Sequence, residues 1–289
     1  MLSPRADAKL LVIATTTDLS DLVHRIGGDQ TVTFAVAKGT QDPHHIEAKP
    51  SFMVRFHKAD LVVSQGLELE WAWLEGLTKG ARNPRILRGT TGFLELGPEL
   101  NPLEISKGKV SRAEGDVHPN GNPHFHLDPI RMGQAGQILA KRLGELDPEH
   151  QDLFDSRANS YKKELEDKTQ DWKKRIKKTG IQEIVTHHKT LTYFCNRFEI
   201  KCQLQLEPKP GIPPTASHLL EVIAQMKGRQ IKLVLIENYF SSDFAEKLKA
   251  QVPQAQVKRV PVSVGGESKI SNQIDLYEKL VQVFEEASL

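Results

Sequence analysis

The chain has 289 residues, 38% hydrophobic and 26% charged, enough for one large core or two of about 140 residues each. Its 39 basic and 37 acidic residues leave a net charge of +2, too small to point to nucleic acid. No apolar run approaches the ~20 residues that a membrane-spanning helix needs.

The first eight residues are polar and carry no apolar signal-peptide core. Such a start fits a cytosolic protein or a mature exported one whose signal was removed. Leu10-Leu11-Val12-Ile13-Ala14 then reads as a strand. Thr15 to Asp18 offer helix caps, and Leu19, Leu22, Val23 and Ile26 follow at helical spacing until Gly27-Gly28. Residues 31–36 form the next strand, 51–57 a helix, 61–63 a strand, 68–77 a helix and 86–87 a short strand. Residues 97–123, rich in glycine, proline and charge, read as a mobile loop. A helix over 130–146 is opened by Asp128 as N-cap and Pro129 at its first position.

The next segment differs. Asp147 and Pro148 start a helix that meets no breaker until Gly180. Phe154, Ala158, Tyr161, Leu165, Trp172 and Ile176 recur along one face. At 1.5 Å per residue it is ~46 Å long, enough to span two lobes. Strands are then expected at 183–186, 200–206, 232–236 and 256–262. Helices are expected at 189–198, 216–227, 242–250 and 272–286. Strand-helix alternation implies parallel sheets covered by helices. The fold class is therefore α/β, with an N-terminal lobe over 9–146, one long rigid helix over 147–179 and a C-terminal lobe over 180–289. No sequence repeat links the lobes. Cys195 and Cys202 are too far apart for a zinc knuckle. A bridge and two buried thiols both remain open.

Histidine carries the chemistry. His44 and His124 each follow a polar residue and a proline, in Asp42-Pro43-His44-His45-Ile46-Glu47 and Asn122-Pro123-His124-Phe125-His126-Leu127-Asp128-Pro129. Thr186-His187-His188 forms a third cluster between a strand and a helix. Imidazole is the commonest metal ligand, and a ligating ring usually donates its second N–H to a carboxylate or carbonyl. Glu47 and Asp128 are spaced to be such partners, although Asp128 has its stronger role as a helix cap. In open parallel sheets ligands bind beyond the carboxyl ends of strands. Two clusters in the first lobe and one in the second put the metal in the interlobe cleft. His45, His126 and His187 are the neighbouring alternatives. His24, His57, His150 and His218 lack motif or partner and are read as ordinary surface or packed residues.

With these motifs in view, the chain resembles the metal-specific solute-binding proteins of ABC importers, the TroA-like and ZnuA-like zinc and manganese receptors. The resemblance rests on Asp42-Pro43-His44-x-x-Glu47, on Asn122-Pro123-His124-x-x-Leu127-Asp128-Pro129 and on His188-x-x-x-x-Tyr193-Phe194. Ala59-Asp60-Leu61-Val62-Val63 and Gly66-Leu67-Glu68-Leu69-Glu70-Trp71-Ala72-Trp73 add to it. It runs from about Lys9 to Phe284. It implies two lobes joined by a rigid helix, export to the periplasm or outer cell surface, no catalysis, and delivery of a divalent metal to a membrane permease. His44, His124 and His188 are the implied ligands, and histidine at the third position resembles the zinc-binding members. The family's usual aspartate is missing near Val260 to Glu267. Glu267 and the strand-end Glu237 are candidates for the fourth ligand, with water preferred. The metal-collecting loop is reduced to His118 and His126 around His124.

Three imidazoles plus one oxygen suit Zn²⁺. Mn²⁺ favours more oxygen and is the second choice within the family. A zinc-dependent hydrolase with a three-histidine site is the competing class, but the sequence holds no His-Glu-x-x-His, G-x-S-x-G or phosphate-binding motif. An adhesin or scaffold would need no metal. The protein is expected to be a monomer.

Overall fold

The computed structural model describes residues 9–106, 108 and 115–288. The chain start and the middle of the 97–123 loop therefore lie outside the described residues. The first lobe contains β1 (Leu10–Ala14), α1 (Thr17–Gly27), β2 (Thr31–Ala35), α2 (Pro50–Lys58), β3 (Leu61–Ser64), α3 (Leu74–Gly80), β4 (Phe93–Glu95) and α4 (Pro129–Leu146). After α5 (Gln151–Lys178) the second contains β5 (Glu183–Thr186), α6 (Thr192–Phe198), β6 (Lys201–Gln205), α7 (Ala216–Arg229), β7 (Leu233–Glu237), α8 (Asp243–Gln251), β8 (Gln256–Val260) and α9 (Gln273–Ala287). Each sheet has four parallel strands, ordered β2-β1-β3-β4 and β6-β5-β7-β8. The same permutation occurs in both lobes although their sequences show no repeat.

Local chemistry explains most boundaries. β3 and β7 are buried along their whole length, as continuous apolar runs in a sheet covered on both faces should be. Thr16 caps α1 by accepting the Leu19 amide, and Gly28 closes that helix at φ 52°. Along α5, Phe154, Ala158, Tyr161, Leu165, Trp172 and Ile176 form the buried stripe. The helix touches both lobes. Arg157 donates to the carbonyl of Gly27 at 2.8 Å, and Trp172 Nε1 donates to Glu278 at 2.9 Å. Its 28 residues span about 42 Å. The expected helix start at Pro148 is instead a 3-10 turn, Pro148–His150.

Three further expectations change. The strand at 86–87 is replaced by a 3-10 turn, Pro84–Ile86, capped by Asn83, and the sheet edge is β4. Pro84 has no N–H to give a ladder. The helix over 68–77 begins only at Leu74, because Leu67 and Glu68 take φ of 52° and 68°. The buried Glu70 carboxylate holds that turn by accepting from Thr15 Oγ1 and the amides of Gln65 and Gly66. The loop expected to be mobile is pinned in its described parts. Ser106 N donates to Pro119 O, Asn122 N to Leu103 O, and Asp116 N to Pro210 O in the second lobe. The open question of the cysteines is closed: Cys195 and Cys202 form a disulfide tying α6 to β6, with Cα atoms 6.2 Å apart.

Candidate metal centre

Three loops at the carboxyl ends of strands converge between the lobes. His44 follows β2, His188 follows β5, and His124 precedes a 3-10 turn leading into α4. All three are buried, at 4%, 1% and 3% exposure for His44, His124 and His188. One ligand atom from each lies within 4.8 Å of the others. Among the described residues this is the one group of three or more such side chains. A larger depression of about 750 Å³ under Trp71 and Leu87 holds none.

Each histidine is set by its own shell. His44 Nδ1 donates to Asp42 Oδ1 at 2.7 Å, and the same oxygen takes the His44 amide at 3.0 Å. Trp73 Nε1 donates to the carbonyl of Pro43 and fixes that loop. His188 Nδ1 donates to Glu207 Oε2 at 2.7 Å, while its amide donates to Glu237 Oε1. Both rings therefore carry the proton on Nδ1 and present Nε2 as a lone pair, the arrangement that orients imidazoles for a metal. The His124 backbone is held by Asn122 Oδ1, and Tyr193 OH donates to the Asn122 carbonyl. Neither ring nitrogen of His124 has a hydrogen-bond partner, and such orphaned buried groups call for an explanation. Burial, then the charge of neighbouring imidazoles, holds His124 well below the ordinary histidine range. It stays neutral, the form that ligates.

The carboxylate partners differ from those expected. Glu47 is exposed, and Asp42 occupies the position behind His44. Burial alone would raise the Asp42 carboxyl, but its bonds to His44 hold it below the usual range. Asp128 does cap α4 through the Ile130 amide. Its remaining capacity goes to Arg131 at 2.6 Å and to Arg197 at 2.8 Å, not to an imidazole. Glu207 had no local signal, because its histidine lies 19 residues away on a different strand end.

Neither candidate for the fourth ligand joins the group. Glu267 is exposed. The segment before it is spent on the other lobe: Asp18 Oδ1 accepts the Val264 amide, Thr17 Oγ1 donates to the Val264 carbonyl, and Asn238 Nδ2 bridges the carbonyls of Gly39 and Gly266. Glu237 is fully buried and turns one oxygen to the His188 amide. The neighbours also have other work. His126 accepts from Gln65 Nε2 and donates to the Val262 carbonyl. His187 stacks on Phe240, and His45 is exposed with Nε2 3.4 Å from Asp116. His118, singled out only as a remnant of a loop, places its Nε2 3.2 Å from that of His44.

Burial raises the Glu237 carboxyl to about 8 from an ordinary 4.5. The unfolded chain then loses this proton at lower pH than the folded one, so stability falls as pH rises between those values. Glu237→Gln removes that loss. In urea denaturation of the metal-free protein, its advantage over wild type should grow from pH 5 to pH 8, by on the order of 2 kcal/mol. A difference that stays constant with pH would show that Glu237 is ionised in the folded state.

Residues 12–287 match the family described as zinc-uptake complex component A, periplasmic. The chain belongs to this family. Its members are periplasmic solute-binding proteins rather than enzymes. The manganese-binding lipoprotein MntA of Bacillus subtilis is 25% identical over 271 residues, covering 91% of this chain and 81% of that protein. The metal ABC transporter substrate-binding lipoprotein SloC of Streptococcus mutans is 22% identical, covering 81% and 74%. The zinc-binding lipoprotein AdcA of Streptococcus pneumoniae is 22% identical, covering 84% and 48%. A crystal structure of ZnuA shares the fold at a TM-score of 0.79 and 22% identity, covering 97% of this chain and 98% of that one. A cadmium-bound periplasmic metal-binding protein from Candidatus Liberibacter asiaticus does so at 0.79 and 21%, covering 96% and 100%. The fold is thus that of two α/β lobes joined by a long helix, with the histidine group between them. Among the described residues no helix is long and apolar enough to cross a membrane.

Proposed function

We propose that the protein captures one Zn²⁺ ion outside the cytoplasm through His44, His124 and His188 and delivers it to the membrane permease of an ABC importer. The observation that carries this reading is the buried group of three imidazoles, two of them oriented by carboxylates and the third with no partner. Nitrogen donors without a ligating carboxylate suit Zn²⁺. Mn²⁺ favours oxygen, and the two candidate carboxylates are exposed or turned aside. The family membership and the relatives named for ABC transport support delivery to a permease. The disulfide supports an oxidising, extracytoplasmic setting.

The test is a calorimetric titration of the intact chain with Zn²⁺ and with Mn²⁺, and stoichiometry from native mass spectrometry. One Zn²⁺ should bind, and far more tightly than Mn²⁺. Ligating imidazole must be neutral, and its free pKa is about 6.5. Zinc affinity should therefore fall between roughly pH 7.5 and 5.5, with protons released on binding at the lower pH. Affinity constant over that window, or preference for Mn²⁺, would sink the zinc assignment.

A further inference from the structure

Zinc in a closed site takes four donors, and the described group supplies three. We infer that His118 supplies the fourth, so that the shell holds four imidazoles and no carboxylate. This rests on the zinc-receptor reading above.

Proximity is the first argument. The Nε2 atoms of His118 and His44 are 3.2 Å apart. Zn–N bonds of 2.0–2.1 Å at tetrahedral angles put two ligand nitrogens about 3.3–3.4 Å apart. The two rings therefore already stand at the separation of neighbouring ligands on one ion. The tautomers agree with this. His44 gives its Nδ1 proton to Asp42, so its Nε2 is a bare acceptor. In the metal-free protein His118 Nε2–H donates to that lone pair. On binding, zinc replaces this single proton between the two nitrogens. His44 needs no change of tautomer, whereas His118 must move its proton from Nε2 to Nδ1 and shift towards His124 and His188, because it stands outside the group whose three ligand atoms lie within 4.8 Å of one another.

Enclosure is the second argument. A cavity of about 60 Å³ is lined by His118, His124 and His188 together. The His118 ring centroid lies 5.3 Å from that of His44 and 6.4 Å from that of His124. The backbone around it is fixed from both lobes: Asp116 N donates to Pro210 O, and Ser106 N to the carbonyl of Pro119. Gly115, at φ 96°, passes so close to Pro210 that a Cβ there would clash with the Pro210 carbonyl oxygen. His118 is thus presented by an anchored loop. Of the two carboxylates expected as fourth ligand, Glu267 is exposed and Glu237 Oε1 accepts from the His188 amide.

The experiment is zinc X-ray absorption and competition titration on the intact chain and on His118→Ala, with circular dichroism to confirm folding. Four imidazoles should surround zinc in the wild type, and three plus an oxygen in His118→Ala. Affinity should fall by roughly 100-fold or more, as expected when one donor of four is lost, at unchanged stoichiometry. His118→Asn provides a second test, with the same loss of one imidazole and a side chain that retains loop polarity. A wild-type spectrum with three imidazoles, or affinity and spectrum unmoved in both variants, would overturn the inference and leave the receptor reading intact. Wild-type protein that binds no zinc would overturn the receptor reading itself.

Discussion

His124→Ala should weaken Zn²⁺ binding by roughly two to three orders of magnitude. Structural zinc sites bind with about 10–16 kcal/mol, so one ligand among four carries about 3–4 kcal/mol, and each 1.4 kcal/mol is tenfold in affinity. His124 is the most telling of the three positions. It is 1% exposed, and neither ring nitrogen has a hydrogen-bond partner. Removing it takes no bond from the metal-free fold, whereas removing His44 or His188 also strands Asp42 or Glu207. The metal-free stability of His124→Ala should therefore fall by only the cost of a small cavity while its zinc affinity collapses. Competition titration with a chromophoric chelator reads the affinity, and thermal melting without metal reads the stability. Wild-type affinity in His124→Ala would remove this residue from the site. Wild-type affinity in His44→Ala and His188→Ala as well would dismantle the three-imidazole assignment.

The contrast between what the sequence revealed and what it hid follows the range of each interaction. Strand runs such as Leu10–Ala14, and the stripe along α5, announce themselves because burial repeats with the period of the element. β4 has only three residues, too few for a period to register. The turn at Leu67 and Glu68 escaped because its cause, the Glu70 carboxylate, is buried by tertiary packing. His44 and His124 stood out through their Pro-His setting and His188 through its place after a strand, and the structure brings the three together. Their orienting groups did not stand out. Spacing pointed to Glu47, but the side chain of Asp42, two residues before His44, folds back onto both the amide and the ring. Glu207 and His118 reach the site from elements whose approach only the fold determines.

The same long-range bonds bear on how the lobes are held. Backbone and side chains of the first lobe clasp residues 262–266 of the second. His126, whose ring binds the Val262 carbonyl, also accepts through its own carbonyl from Gln273 Nε2 and Tyr277 OH in α9. Asp128 joins α4 to α6 through Arg197. A receptor with several such ties, in addition to α5, is built for a preformed site more than for wide hinge opening. A depression of about 260 Å³ beside His45, Asp116, His187 and Phe240 also borders His44 and His188.

Loss of the α5 anchor should cost the most stability of any single change on that helix. Trp172 is 1% exposed, packs on Tyr277 with ring centroids 5.4 Å apart, and donates to Glu278 at 2.9 Å. Trp172→Ala leaves a cavity between α5 and α9 and removes that hydrogen bond, at a cost of about 3–5 kcal/mol. The melting temperature of the metal-free protein should drop by roughly 10 °C. Lys163→Ala is the control, because its pair with Asp167 is exposed on the same helix, and exposed pairs contribute about 0–1 kcal/mol. Zinc should still bind Trp172→Ala with unchanged stoichiometry at temperatures where the variant is folded. Saturating zinc should also raise its melting temperature, because the ion binds only the folded chain. If Trp172→Ala melts with Lys163→Ala, α5 is not held through this contact. If instead the folded variant loses its zinc site, α5 sets the geometry of the cleft as well as the stability of the lobes it joins.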